Sequence, residues 1–212
     1  MPEIVKKHFV EKHGFANYYF NTIEQNRVWK AWNAAANLGG GDWTLSGPLE
    51  NGGDYRLQVT GAGVSLKLPS NEMNWTPTDN LGSSLLPAGS GGLFPALYLW
   101  RRLASEGLGR FGDVYYLGTA PLIGHQGLVD VLVGTHKGVE GSFYFDPDRG
   151  QLLAIELFPD ENSDPCEIYF SDYRETGGRF VPGRMMVRFG DQPFAAFKID
   201  EFKAEKPGRS GK

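Results

Sequence analysis

The residues of this chain whose types could do chemistry are four histidines, one cysteine and a short acidic run. Histidine acts as a metal ligand or proton shuttle when a second ligand or a carboxylate stands at a matching spacing. His8, His13, His125 and His136 are scattered, and His125 and His136 fall in or beside turns without such a partner, so each is expected to be solvated. Cys166 is alone, which excludes an internal disulfide, and its place within Cys166-Glu167-Ile168-Tyr169-Phe170 points to a buried structural thiol. Asp160, Glu161 and Asp164 lack the ligand alternation and central glycine of a calcium loop and read as a solvated turn. Gly61-Ala62-Gly63 is followed by Leu66 where a dinucleotide fingerprint has its last glycine. There is no Gly-x-Ser-x-Gly elbow, no His-Glu-x-x-His and no phosphate loop. No catalytic residue, cofactor or metal is therefore expected, and enzymatic activity stays open only as a hydrolase built from scattered loop residues.

The elements that must position any site are mostly strands. Apolar segments at 128–134, 141–145, 151–158, 166–172, 184–189 and 194–202 follow one another with turns between, as in an antiparallel meander. Asp146-Pro147-Asp148-Arg149-Gly150 has the residues of a type I turn closed by a left-handed glycine, and Gly177-Gly178 and Gly190-Asp191 are similar. Leu153, Ile155 and Leu157 alternate with Ala154 and Glu156, and Met185, Val187 and Phe189 with Arg188, which gives the sheet one apolar face. Earlier, a strand is expected at 43–49, a hairpin at 55–59 and 64–68, and a further strand at 73–75.

Helices are expected to cover that face. One runs over 4–12, and a second carries the stripe Tyr19, Phe20, Ile23, Val28, Trp29, Trp32 until 37–41 breaks it. The strongest helix signal spans 93–106, with Pro95 in the first turn and Gly107 as the stop. As a lid, this helix would turn Leu97 and Trp100 to the sheet and Arg101, Arg102 and Glu106 to solvent. The Gly/Ser/Leu-rich loop 80–92 before it reads as mobile, with Gly82, Gly89, Gly91 and Gly92 as hinges.

Composition agrees with this α+β class, a strongly curved antiparallel sheet forming an incomplete β-barrel covered by helices. The 212 residues hold 29 glycines and 13% aromatics, a lean towards turn-rich β-structure. A net charge of −4 leaves no basic footprint for nucleic acid. No apolar run is long enough to span a bilayer, and residues 1–13 are too charged for a signal peptide. One domain is expected over 1–202, with a disordered tail at 203–212.

The large apolar side chains Trp43, Leu57, Leu66 and Trp75 on early strands, with Leu97 and Trp100 on the covering helix, gather around one sheet face. Either they fill a closed core or they line an apolar ligand-binding cleft.

The stretch from Phe143-Tyr144-Phe145-Asp146-Pro147-Asp148-Arg149-Gly150 to Gln151-Leu152-Leu153, then Phe170-Ser171-Asp172-Tyr173-Arg174 and Gly178-Arg179-Phe180-Val181-Pro182, resembles the LolA family of lipoprotein carriers. That resemblance implies an incomplete β-barrel with a helical lid over an apolar cavity. More narrowly, Ala16-Asn17-Tyr18-Tyr19-Phe20-Asn21 and Leu97-Tyr98-Leu99-Trp100-Arg101-Arg102 are similar to C-terminal regions of Do-like, trypsin-type serine proteases with PDZ domains from planctomycete-type bacteria. The two resemblances imply a non-catalytic module for apolar ligands or lipidated or unfolded protein segments, placed in the periplasm or cell envelope, with upstream protease and PDZ domains as possible partners. A closed structural or interaction domain is the alternative.

Overall fold

The computed structural model describes Glu3, Lys6, His13 and residues 18–38 and 40–205. The expected first helix, apart from Lys6, lies outside the described residues. Helix α1 (Tyr18–Ala36) ends where Asn37 turns left-handed and donates its N–H to Asn33 O at 3.0 Å. Four strands follow: β1 (Trp43–Pro48), β2 (Asp54–Val59), β3 (Val64–Lys67) and β4 (Glu72–Trp75). Helix α2 (Leu93–Glu106) comes next, then β5 (Val114–Pro121), β6 (Leu128–His136), β7 (Val139–Phe145), β8 (Leu152–Phe158) and β9 (Cys166–Ser171). The chain closes with β10 (Arg174–Thr176), β11 (Arg179–Val181), β12 (Arg184–Phe189), β13 (Gln192–Lys198) and β14 (Glu201–Ala204). Among the described residues no helix is long and apolar enough to cross a membrane.

The strands form two larger antiparallel sheets, ordered β14-β1-β2-β3-β4 and β13-β12-β9-β8-β7-β6-β5, and a small β10-β11 hairpin. The expected meander is there, but its last segment is two strands. After β13 the chain leaves the seven-stranded sheet at Ile199, whose N–H bonds to Gly183 O, and Asp200 N–H bonds to Ser46 O as β14 joins the other sheet. The sheets also touch where Leu49 bridges Phe197 and Glu50 N–H reaches Ala196 O at 3.0 Å. A Cβ at Gly47 would lie 2.1 Å from Lys198 O, so the crossing requires glycine there. Among the described residues no sheet closes on itself, and together they form an incomplete barrel. Lys203 pairs with Thr44 and Ala204 with Trp43, so β14 reaches into the expected tail 203–212, of which 206–212 lie outside the described residues.

The core lies between the two sheets, and α2 runs through it. Every residue from Leu93 to Arg101 is buried, because α2 packs against β2 and β3 on one side and β8 and β9 on the other. This corrects the expected lid with a single apolar stripe. Arg101 is not at solvent: its Nε donates to Gly41 O at 3.0 Å and a terminal nitrogen to Gly40 O at 3.3 Å. Arg102 is held by Arg110 O and by Glu106, at 2.6 and 3.0 Å, and of the three polar residues only Glu106 is exposed. Helix α1 also departs from its expected stripe. Val28, Trp32 and Ala36 are buried, but Phe20 and Ile23 are exposed, because the first turns of α1 lie along the edge strand β5.

Candidate ligand-binding site

The six residues expected to line a cleft are brought together and packed shut. Trp43, Leu57 and Leu97 are 0% exposed, Trp100 1%, Leu66 2% and Trp75 5%, all within one continuous apolar cluster. Trp43 and Trp100 meet edge to face at 5.0 Å between ring centres, and Trp100 lies against Phe170 at 4.6 Å. The indole N–H of Trp75 donates to Ser84 O at 3.0 Å. Those of Trp43 and Trp100 are buried with no hydrogen-bond partner among the described residues, a costly arrangement for a dry core.

The loop before α2 is packed down. Ser90 Oγ donates to Pro87 O at 2.7 Å and accepts from Leu93 N–H at 3.0 Å, and Leu81 N–H bonds to Lys137 O. A Cβ at Gly91 would fall 2.2 Å from the Phe189 ring, so this glycine serves close approach to the sheet as well as its left-handed backbone.

The histidines divide. His13 is exposed, as expected, and His8 lies outside the described residues. His136 departs from the solvated reading: its ring stacks on Tyr98 at 6.3 Å and its Nε2 is buried without a partner among the described residues. Burial, then the charges of Arg102 and Lys137, lower its pKa to about 4. Cys166 is buried, and burial pushes its thiol well above the usual range. Asp160 accepts from Asn162 N–H and Ser163 Oγ at 2.8 and 2.9 Å, making the acidic run an ordinary turn.

A groove of about 940 Å³ opens on the side of the seven-stranded sheet away from α2. Along β9 and β12, Ile168, Phe170, Met185 and Val187 face the core, so Tyr169, Ser171, Met186 and Arg188 face outward and form the floor. Leu153 joins them. A register shift opposite Tyr144 and Phe145 pairs those residues with Ala154 and Leu152 and leaves Leu153 as the extra, bulged residue. The expected apolar row Leu153, Ile155, Leu157 is thereby corrected, since Leu152 takes the core position. The β5–β6 loop with Ile123 and Phe180 of β11 complete the lining, with Ile123 73% and Phe180 40% exposed. Alternation in the sequence missed this groove. Its only advance signals were Met186 opposite in phase to the buried Met185, and Ile123 set between turn residues.

Beside the groove, Glu156 and Glu167 stand directly opposite across β8 and β9. Burial and the charge of Glu167 raise the Glu156 pKa, while the Tyr144 hydroxyl, donating to its Oε2, acts the other way. Glu167 accepts from Tyr169 Oη at 3.1 Å and lies 3.7 Å from Arg188. Neither glutamate lines the groove, so this pair is tied up within the sheet surface.

No known family model matches the chain, and no curated protein matches it. Solved structures are similar in fold. A LolA superfamily protein from Nitrosomonas europaea superposes with a TM-score of 0.52 over 86% of this chain and 94% of its own, at 8% identity. A DUF1329 family protein from Desulfovibrio piger gives 0.50 over 87% and 93%, at 10% identity. The order of helix, five-stranded and seven-stranded sheets and buried helix is thus a LolA-like α+β fold.

Proposed function

We propose that this chain is a non-catalytic binding module for apolar and amphiphilic ligands, acyl chains or lipidated or unfolded protein segments, carried in the outer groove. The observation that carries this reading is a cleft of about 940 Å³ with a largely apolar lining on the outer side of the seven-stranded sheet. That volume lies within the roughly 300–1,000 Å³ typical of small-ligand sites. Titration with the uncharged dye N-phenyl-1-naphthylamine tests it. The parent protein should enhance the dye's fluorescence and Leu153→Glu, on the groove floor, should abolish the effect while the fold is retained. Dye binding unaffected by Leu153→Glu removes the groove from consideration.

A second reading places the ligand among Trp43, Leu57, Leu66, Trp75, Leu97 and Trp100, reached by displacement of α2. The unpartnered indole N–H groups of Trp43 and Trp100 favour it. Under this reading Trp100→Ala lowers dye binding and Leu153→Glu does not. The narrower proposal, a C-terminal accessory domain of an envelope serine protease, rests on the sequence resemblance alone; its test is whether the chain's gene encodes upstream protease and PDZ domains.

A further inference from the structure

We propose that Arg149 makes the groove selective for acyl chains with a carboxylate head, an inference that rests on the groove reading above. Two arginines and a histidine line the groove against a single acid, Asp172. Arg188 already has Glu167 at 3.7 Å. The Arg149 guanidinium makes no ion pair or hydrogen bond among the described residues.

Arg149 is exposed, and its backbone is anchored beside the groove. The β7–β8 turn holds the Arg149 backbone, whose N–H donates to Asp146 Oδ1 at 2.9 Å, and the next residue, Gly150, is left-handed as the turn requires. Asp146 spends that same oxygen on Asp148 N–H, so the nearest buried carboxylate is committed to the backbone and not to the guanidinium.

Arg149 and His125 line both the large groove and a smaller cleft of about 540 Å³ beside it. Arg149 is exposed and His125 half-buried, so both reach solvent at the side of the groove. This is the layout an amphiphile needs: an apolar bed over Leu153 and Met186, and beside it one unpaired planar fork of donors that matches a carboxylate bidentately.

Calorimetric titration of the full chain with dodecanoate and with dodecan-1-ol separates head from tail. Dodecanoate should bind about tenfold more tightly than the alcohol, the scale of one charge-assisted hydrogen-bonded pair. Arg149→Gln should bring the acid down to the alcohol's affinity and leave the alcohol unchanged. Should acid and alcohol bind equally, with Arg149→Gln inert and Leu153→Glu still abolishing both, the head-group inference is wrong and the groove stands. Should neither compound bind the parent protein, the groove reading fails and takes this inference with it.

Discussion

Asn21 of α1 pairs with the backbone of Tyr116 on the edge strand β5 as a neighbouring strand would: its Nδ2 donates to Tyr116 O and its Oδ1 accepts from Tyr116 N–H, each at 2.8 Å. Tyr18 and Gln25 bond to Val114 O one step along, at 2.7 and 3.2 Å. One helix thereby caps an edge that would otherwise be open to another chain. Asn21→Ala should cost about 1–3 kcal/mol, the penalty for leaving strand groups unsatisfied. Hydrogen exchange at the Tyr116 amide should speed up more than at the central strand β8.

Trp100 reports on whether the concave side is a core. At 1% exposure and in contact with Trp43, Phe170 and Phe202, its truncation to Ala should cost about 3–5 kcal/mol in urea unfolding. A clearly smaller loss would mean that α2 yields easily and would favour the ligand site beneath it. We further expect a single transition across the described chain, one cooperative unit.

Gly89 and Gly91 both have left-handed backbones, with φ of 82° and 68°. They differ in surroundings: a Cβ at Gly89 meets nothing within 4 Å, whereas one at Gly91 strikes Phe189. Gly89→Ala should cost only the backbone strain, about 1–2 kcal/mol. Gly91→Ala should cost about 1–3 kcal/mol more through the clash. Equal thermal midpoints for the two variants would show that the loop is free to move away from the sheet.

His136 sets a pH window. Its folded-state pKa is lowered from 6.5 to about 4, so the unfolded chain takes up the proton first. Its contribution is complete above 6.5 and is lost as pH falls through that window towards about 4. His136→Phe keeps a ring against Tyr98 and removes the proton. Urea midpoints across the window should fall less steeply for the variant than for the parent.

Chain length gives a measure of burial in the groove. Each methylene taken from water contributes about 0.8 kcal/mol, so lengthening a saturated fatty acid by two carbons should tighten binding about tenfold. The gain should stop once the chain outgrows the groove floor around Leu153 and Met186. Calorimetry on decanoate, dodecanoate and tetradecanoate would show it, and a series with no length dependence would rule out an acyl chain lying in the groove.

The period-two alternation of Ile155 and Leu157, and of Met185 and Val187, the turn residues at Asp146–Gly150 and the helix stop at Gly107 determined by themselves the meander, the early hairpin and both described helices. Such signals are local, because they follow from backbone dihedrals and from which side of a strand each residue faces. Tertiary structure decided the rest. The end of the last predicted strand changes sheets at Ile199, and only the partners Gly183 and Ser46 reveal it. Strand β5 was missed because its bulge at Leu117 and its Pro121 end break the alternation, and its edge is satisfied by side chains of α1, nearly a hundred residues earlier in the chain. The same limit hid the groove. Leu153 reaches the outer face through a bulge defined by the pairing of β7 with β8, and Arg101 is drawn inward by carbonyls sixty residues away. A hydrophobic pattern says which residues leave water; which of them meet depends on contacts distant in sequence.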